Sequence, residues 1–275
     1  IRPPDGAVHV CYCHSPARYA WDQAADYAVG RGGLVRRAGL AVVGPRFRRW
    51  DRRTASRAHV LVANSRHTAD RIRRCWGRDA RVVAPPVRTD RFTPGSGPRE
   101  SWFLVVAALE PYKRTDLAIE AALRLGVPLR IVGDGSQREA LAHRAREGRR
   151  RGATIDLLGR VDDDELQALY RTAAGLVFPQ VEDFGIVPVE ALACGCPVVA
   201  VGRGGALDTV DESVGTLAGE QTVDAIADGM RRVLERPPDP AACRARAERF
   251  SGPRFDAAMD ALVAEALARH GTATG

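Results

Sequence analysis

The second part of the chain alternates between two hydrophobic patterns from residue 101 onward. Short apolar runs of strand length are followed by segments with the 3.6-residue apolar spacing of helices. The predicted strands cover 102–109, 128–135, 153–159, the "GLVFP" run and 197–201, and the predicted helices cover 115–126, 136–149, 162–174 and 185–195. Thr115 or Asp116 is the predicted N-cap of the first helix, and the acids at 162–164 suit the start of the third. Uniformly apolar strands alternating with helices are typical of a parallel, doubly wound α/β sheet.

The first part of the chain has a sparser pattern. Three strand-like runs occur at 6–14, 58–65 and 81–87. Between the first two lies a segment that is both basic and apolar, 31–53, which suits helices on a membrane surface or helices that pack on this domain with outward arginines. The stretch 93–101 is rich in Gly, Pro and Ser and is typical of a linker.

These patterns predict a domain boundary near residue 96. A partial α/β domain would cover residues 1–95, and a complete one residues 96–250. Residues 251–275 would add a C-terminal helix, for which packing against the first domain is one option.

Composition excludes several classes of protein. The chain has 275 residues, 45% of them hydrophobic, enough for a sizeable core. It has no run of 18 apolar residues, so a spanning helix is not expected. Its six cysteines never form a C-x-x-C pair, so they predict buried thiols of a cytoplasmic protein and no zinc site.

Charge is distributed unevenly along the chain. Residues 1–100 contain 20 Arg and 8 acidic residues, whereas residues 101–275 contain 21 Lys+Arg and 26 acidic residues. The first part would therefore suit an anionic partner: a phospholipid surface, a phosphorylated substrate or nucleic acid. The alternative is an arginine-rich solvated face. No nucleic-acid-binding motif or aromatic platform accompanies the arginines, so nucleic acid is not expected.

Lys113 is the only lysine among the 41 Lys and Arg residues of the chain. It follows the first strand of the second domain, at the carboxyl edge of the predicted sheet. An ammonium is a compact point charge that can approach a diphosphate end-on, which the planar guanidinium of arginine cannot. Survival of one lysine by chance is the alternative.

Two glutamates fall near the same edge. Glu182 follows a predicted strand, and Glu190 lies eight positions later in a helix that begins near Gly185 or Ile186. Ligands of open α/β sheets bind at this edge, where a helix N-terminus attracts phosphate. Carboxylates accept paired hydrogen bonds from sugar or ribose hydroxyls. Ordinary surface glutamates at a helix start are the alternative.

Several stretches together resemble glycosyltransferase family 4, and the resemblance covers nearly the whole chain. They are "EPYKRTDLAIEAA", "VGDGS", "EDFGIVPVEALACGCPVVAVGRGGALDTV", "HVCYCHSPARYAWD" and "ANSRHTADRIRRCWGRDARVVAPPVRTDRF". Family members are retaining transferases of the GT-B type, with two Rossmann-like domains. The stretches are most similar to those of bacterial mannosyltransferase-like members. The resemblance therefore implies a GT-B-like fold with a complete C-terminal and a partial N-terminal Rossmann-like domain.

The resemblance also implies roles for individual residues. Lys113 would bind the donor diphosphate, Glu182 would contact the sugar, and Glu190 would hold the ribose. His14 would face the reacting sugar and join Lys113 and Glu182 as catalytic residues. The remaining donor-side residues are Arg114, Phe184, Gly185 and Ile186, the acceptor-side residues are Arg18 and Trp21, and the glycines for close backbone approach are Gly202, Gly204 and Gly205.

The implied reaction moves a sugar from a GDP- or UDP-linked donor to a glycan or lipid-linked acceptor, without metal or other cofactor. The expected location is the cytoplasm, with peripheral contact to an anionic inner membrane face as one option. The chain departs from the family at Ala107–Ala108, where many members have an arginine. It also lacks about a hundred residues that usually precede the segment 6–14. A nucleotide-sugar-binding remnant without catalysis is therefore the alternative function.

Overall fold

The computed structural model of this protein describes residues 6–18, 20–21, 33–149 and 154–270, together with Pro4. Those residues form an α/β structure with two parallel sheets, which confirms the predicted fold class. The chain divides into two compact units. The first contains residues 1–85 and 255–275, and the second contains residues 86–254. The units part between Pro85 and Pro86, whereas the sequence pattern alone places the limits near residues 95 and 250.

The first unit contains a three-stranded sheet of order β1-β2-β3. Its strands are β1 Val10–Cys13, β2 Val60–Ala63 and β3 Arg81–Val82, and its first two helices are α1 Gly33–Ala55 and α2 Arg66–Trp76. All three strands were predicted, but β3 is shorter than the 81–87 run. The run contains Pro85 and Pro86, which have no N–H to donate to a sheet. A side chain of β1 holds the chain just after β3, since the Tyr12 hydroxyl donates to the Val83 carbonyl at 2.8 Å.

The basic segment forms one helix, α1, with Pro45 inside it. The last part of this helix packs on its own unit, because Arg52 Nε donates to the Cys75 carbonyl at 2.7 Å. Its other side exposes the apolar side chains of Val43 and Trp50. Within the described residues, no helix is both long and apolar enough to cross a membrane.

The second unit contains a six-stranded parallel sheet of order β6-β5-β4-β7-β8-β9. Its strands are β4 Phe103–Val106, β5 Leu129–Val132, β6 Ile155–Gly159, β7 Gly175–Phe178, β8 Val198–Val201 and β9 Gly215–Ala218. Its helices are α3 Thr115–Leu125, α4 Arg138–Arg149, α5 Asp163–Thr172, α6 Ile186–Ala193, α7 Ala206–Thr209, α8 Val223–Glu235 and α9 Pro240–Glu248. Strands β7 and β8 are buried along their whole length, as expected for a sheet covered on both faces.

The direction of chain progression reverses at the centre of this sheet. From β4 the chain adds β5 and β6 on one side, and then returns to add β7, β8 and β9 on the other. Strands β4 and β7 are parallel neighbours, with Phe103 opposite Gly175 and Leu104 opposite Leu176. The chain therefore leaves these two strands in opposite directions, and their carboxyl ends form the edge at which such sheets usually bind ligands.

The helix starts match the sequence predictions in one case and not in another. Asp162 caps α5 and forms a reciprocal capping box with Glu165, as the acidic run predicted. The predicted N-cap of α3 was wrong. Arg114 occupies that position with φ 52°, and Thr115 is already the first helical residue.

The last helix, α10 Gly252–His270, returns to the first unit. It is separated from α9 by residues 249–251, and Gly252 and Pro253 are its first two residues. The Phe255 ring packs edge-on against Tyr12 with 5.8 Å between centroids. Glu265 forms an ion pair with Arg81 at 3.1 Å. The first unit is thus built from both ends of the chain.

Candidate nucleotide-sugar site

Lys113 lies at the carboxyl edge of the central strands of the second unit. It ends a 3-10 turn, Pro111–Lys113, that directly follows the loop after β4. Pro111 suits the first position of such a turn because its missing N–H would have no partner there. The turn directs the Lys113 side chain to the carboxyl edge of the sheet.

The Lys113 ammonium forms an ion pair with Glu182 Oε1. Glu182 belongs to the loop after β7, so the pair joins the two loops that flank the reversal point. Both side chains are largely covered, at 14% and 23% accessibility, and the pair is therefore screened less than a surface pair. The same carboxylate oxygen accepts a hydrogen bond from Gln180 Nε2 at 3.3 Å.

Glycines after β8 hold the loop that carries Glu182. The Gly205 N–H donates to the Glu182 carbonyl at 2.8 Å. A Cβ on Gly205 would lie 2.3 Å from Phe184 Cα, and a Cβ on Gly204 would lie 2.4 Å from the Glu182 carbonyl oxygen. Gly204 also has φ +67°, where other residues are strained. These two glycines allow the close backbone approach that was predicted for them, and Gly202 contacts β9 instead, its N–H donating to the Ala218 carbonyl at 2.8 Å.

The loop after β5 supports the loop of Lys113 in the same way. Gly133 has φ +130°, and a Cβ there would lie 1.8 Å from the Ala107 carbonyl oxygen. Ser136 then donates to both carboxylate oxygens of Glu110, from its N–H at 3.1 Å and from its hydroxyl at 2.7 Å. The hydroxyl and backbone bonds from Ser136 lower the pKa of Glu110. The "VGDGS" motif thus fixes the backbone just before Lys113.

The start of α6 presents backbone N–H groups at this edge. Gly185 is its N-cap, with φ 88°, and no side chain caps the helix there. Ile186 is exposed, whereas Phe184 is buried with its ring edge-on to Phe250 at 5.6 Å. An uncapped helix start attracts anions through its N–H groups and its dipole.

Glu190 lies one turn into α6, where Tyr170 holds one of its oxygens. The Tyr170 hydroxyl donates to Glu190 Oε2 at 3.2 Å. Burial raises the pKa of Glu190, and the Tyr170 hydrogen bond and the charge of Arg88 partly oppose that rise. Arg88 is held in turn by Asp163 at 2.9 Å. Burial of the Tyr170 ring likewise raises the pKa of Tyr170 well above its usual value.

The Arg114 guanidinium pairs with a neighbour on its own helix and not with the site carboxylates. It contacts Asp116 at 3.2 Å, on the first turn of α3. Among the described residues it is the only non-glycine residue with positive φ. This left-handed residue joins the 3-10 turn to α3 and so sets the direction of the chain just after Lys113.

The predicted acceptor-side residues all belong to the first unit. His14 follows β1 and is exposed; its carbonyl accepts from Asn64 Nδ2 at 3.1 Å. Arg18 is half-buried. The Trp21 indole donates to Asp51 Oδ2 at 2.8 Å, and the Arg52 guanidinium lies over its ring at 4.9 Å. Trp21 is therefore held tightly against α1.

Sequence reasoning did not single out Gln180 or Tyr170. Both side chains are buried, and each donates to one of the two glutamates of the site. A polar residue directly after an apolar strand was the only available signal for Gln180. A tyrosine in an amphipathic helix gives no signal, since it is usually a packing residue.

Comparison with known families places most of the second unit in one of them. The model of glycosyl transferases group 1 matches residues 87–250, and the chain belongs to this family. A D-inositol 3-phosphate glycosyltransferase of Mycolicibacterium smegmatis is 34% identical over 77% of this chain and 50% of its own length. A GDP-mannose-dependent alpha-(1-6)-phosphatidylinositol monomannoside mannosyltransferase of the same organism is 34% identical over 68% and 56%. A glycogen synthase of Mycobacterium tuberculosis is 37% identical over 56% and 37%. The chain spans about half or less of the length of these relatives.

Solved structures share the fold at low sequence identity. Sucrose-phosphate synthase from Thermosynechococcus elongatus aligns with TM-score 0.70 and 20% identity, over 94% of this chain and 68% of its own. HepE from Anabaena, crystallised with UDP and glucose, aligns with TM-score 0.69 and 18% identity, over 93% and 71%. These similarities confirm the GT-B-like class with Rossmann-like folds that the sequence predicted.

Proposed function

We propose that this chain provides the donor site of a retaining glycosyltransferase, which moves a sugar from a nucleoside diphosphate to a glycan or lipid-linked acceptor. One observation carries the proposal: Lys113 and Glu182 meet at the reversal point of the sheet, where α/β folds bind ligands. An ammonium for a diphosphate and a carboxylate for sugar hydroxyls are thereby adjacent.

The chemistry follows from where charge develops. When the glycosidic bond breaks, its electron pair stays with the leaving diphosphate, which gains negative charge. Lys113 and the uncapped N–H groups of α6 would stabilise that charge as preorganised donors. Glu182 would hold the sugar, and Glu190, one turn into α6, would hold the ribose. Retention implies attack of the acceptor on the face that the diphosphate leaves.

The proposed donor is GDP-mannose, with a UDP-sugar as the second choice. One relative is named as GDP-mannose-dependent, whereas HepE was crystallised with UDP and glucose. Isothermal titration calorimetry of the 275-residue chain with each donor discriminates between them. We expect turnover to continue in EDTA, because the leaving charge would be met by Lys113 and helix N–H groups.

A Lys113→Ala variant tests the proposal. We expect it to lower sugar transfer about 100-fold or more, as loss of a preorganised donor does, while the fold stays intact. Arg231→Ala is the matched control, since Arg231 is an exposed cation on α8. Near-normal transfer by Lys113→Ala contradicts the proposal. Donor binding by the wild-type chain without any transfer, assayed over a range of acceptors, would favour the non-catalytic alternative.

His14, Arg18 and Trp21 stay proposals for the acceptor side of the first unit. Peripheral contact with an anionic membrane is also proposed, on the exposed side of α1 that carries Val43 and Trp50. Arginines on the same helix would attract anionic headgroups. Sedimentation with phosphatidylglycerol vesicles, with phosphatidylcholine vesicles as control, tests it. Equal binding to both, or to neither, contradicts it.

A further inference from the structure

We propose that Gln180 and Tyr170 are positioning residues with separate tasks. Gln180 orients Glu182 for the donor sugar, and Tyr170 orients Glu190 for the ribose. This inference depends on the proposed donor site. It rests on one juxtaposition: each glutamate has one oxygen bound by a buried side-chain donor.

The Glu182 carboxylate is held from the interior by Gln180. The Gln180 side chain is 2% accessible, and its Nε2 donates to Oε1 of Glu182 at 3.3 Å. Its own Oε1 is buried and has no hydrogen bond among the described residues. A buried amide oxygen without a partner costs stability, so packing alone does not account for this glutamine. Its N–H donor supports the carboxylate next to Lys113.

Glu182 needs the Gln180 hydrogen bond because its other partner, Lys113, would also bind the diphosphate. Lys113 and Gln180 both contact Oε1 of Glu182. An ammonium that also binds a diphosphate shares its charge between two acceptors, whereas the amide of Gln180 has no second task. Gln180 therefore keeps Oε1 in place, and Oε2 is left for a sugar hydroxyl.

The Glu190 carboxylate is held by Tyr170 on the neighbouring helix α5. Tyr170 is fully buried, with its ring edge-on to Phe92 at 5.8 Å. Its hydroxyl donates to Oε2, and among the described residues Oε1 of Glu190 has no hydrogen bond. A rigid ring thus fixes one oxygen and leaves the other for the vicinal hydroxyls of a ribose.

The two supports are structurally separate. Gln180 lies in the loop after β7, and Tyr170 lies on the helix that precedes that strand. Each contacts a different glutamate. Loss of one support should therefore affect one end of the nucleotide sugar and spare the other.

Three ligands test the ribose end and the sugar end of the donor separately: GDP, 2′,3′-dideoxy-GDP and GDP-mannose. Binding is measured by isothermal titration calorimetry, and transfer by steady-state kinetics. The corresponding uridine compounds are used if the wild-type chain prefers them. For Tyr170→Phe, which keeps the ring, we expect about tenfold weaker GDP binding and unchanged binding of the dideoxy analogue. For Gln180→Met, we expect unchanged GDP binding and an about tenfold lower kcat with GDP-mannose.

Each variant is the control for the other, and melting temperatures monitor the fold. Equal weakening of GDP and its dideoxy analogue by Tyr170→Phe would overturn the role of Tyr170, as would no change in either. A weaker GDP complex or an unchanged kcat in Gln180→Met would overturn the role of Gln180; Gln180→Leu serves as a second variant if Met lowers the melting temperature. A wild-type chain that binds no nucleotide contradicts the proposed function itself, which is a distinguishable result.

Discussion

Two carboxylates, one in each unit, accept similar hydrogen bonds but have different partners. In the second unit, Glu182 meets Lys113 and Gln180 through one oxygen and lies at the carboxyl edge of the sheet. In the first unit, Asp51 on α1 accepts indole N–H bonds from Trp21 at 2.8 Å and from Trp76 at 2.7 Å, both on Oδ2. The first carboxylate joins two loops at the edge of the sheet. The second joins α1 to Trp21 and Trp76.

The difference lies in the partners. An indole is an apolar ring with a single N–H donor. Its hydrogen bond to a carboxylate therefore stabilises the packing of neighbouring elements. An ammonium can exchange one acceptor for another at little cost in geometry. A predicted site residue that donates only to the interior, as Trp21 does, therefore has a structural task that must be separated from any role in binding.

Replacement of Gly205 should have the largest effect, because Gly205 packs against the loop that carries Glu182. A Cβ there would lie 2.3 Å from Phe184 Cα and 2.4 Å from its carbonyl oxygen. We expect Gly205→Ala to lower the free energy of unfolding by about 1–3 kcal/mol in denaturant titrations and to weaken donor binding. Gly97→Ala is the control, because a Cβ on Gly97 would meet no atom within 4 Å. Equal stability of the two variants would contradict the tight packing of this loop.

Lys113→Arg tests whether the ammonium itself matters. The charge is kept, but a planar guanidinium replaces a compact point charge between two loops. We expect transfer to fall at least tenfold, equivalent to about 1.4 kcal/mol of transition-state free energy. Arg231→Lys on α8 is the control and should leave the kinetics unchanged. A wild-type kcat/KM in the Lys113→Arg variant would mean that the single lysine is accidental.

Removal of the Asp51 carboxylate tests the structural side. Asp51→Ala leaves the indole donors of Trp21 and Trp76 without their acceptor, and we expect a loss of about 1 kcal/mol in the free energy of unfolding. Nucleotide binding should not change. Asp79→Ala is the control, since Asp79 is 82% accessible and its ion pair contributes little. Weaker nucleotide binding by Asp51→Ala would contradict a purely structural role for Asp51.

Glu190→Gln should have the smallest effect on stability, and its effects on stability and on binding should be opposite in sign. Because burial raises the pKa of Glu190, the folded chain binds this proton more tightly than the unfolded chain does. Its contribution to stability is therefore lost as pH rises from its ordinary pKa of 4.5 through the raised pKa of the folded state. Glu190→Gln should melt slightly higher than wild type at about pH 7 but not at about pH 3.5, and should bind GDP more weakly. A gap in melting temperature that does not depend on pH contradicts this assignment.

Much of the fold could be predicted because each strand of the second unit before β9 is a compact apolar run between helical segments. The edge strand β9 was not predicted. It contains Gly215, which lowers strand propensity, yet a Cβ there would lie 2.0 Å from the Val198 carbonyl oxygen. The N-cap of α3 was missed because Arg114 adopts a left-handed conformation without any side-chain signal. Tertiary contacts, and not local preference, decide both positions.

The candidate site was predictable to the extent that topology defines an edge. Lys113 and Glu182 both follow central strands, so parallel pairing of β4 and β7 brings them together. Gln180 and Tyr170 could not be found in this way. Their contribution depends on which way a buried side chain points, and periodicity specifies a face but not a hydrogen-bond partner.

The second unit has its two ends side by side. The Val87 N–H donates to the Phe250 carbonyl at 2.8 Å, and Val87 bridges Ser251 in parallel. A continuous segment that enters and leaves at neighbouring points can be excised, circularly joined or exchanged between relatives by two short splices. Swapping residues 86–254 for the matching segment of a relative would thus exchange the proposed donor site while the rest of the polypeptide keeps its own sequence.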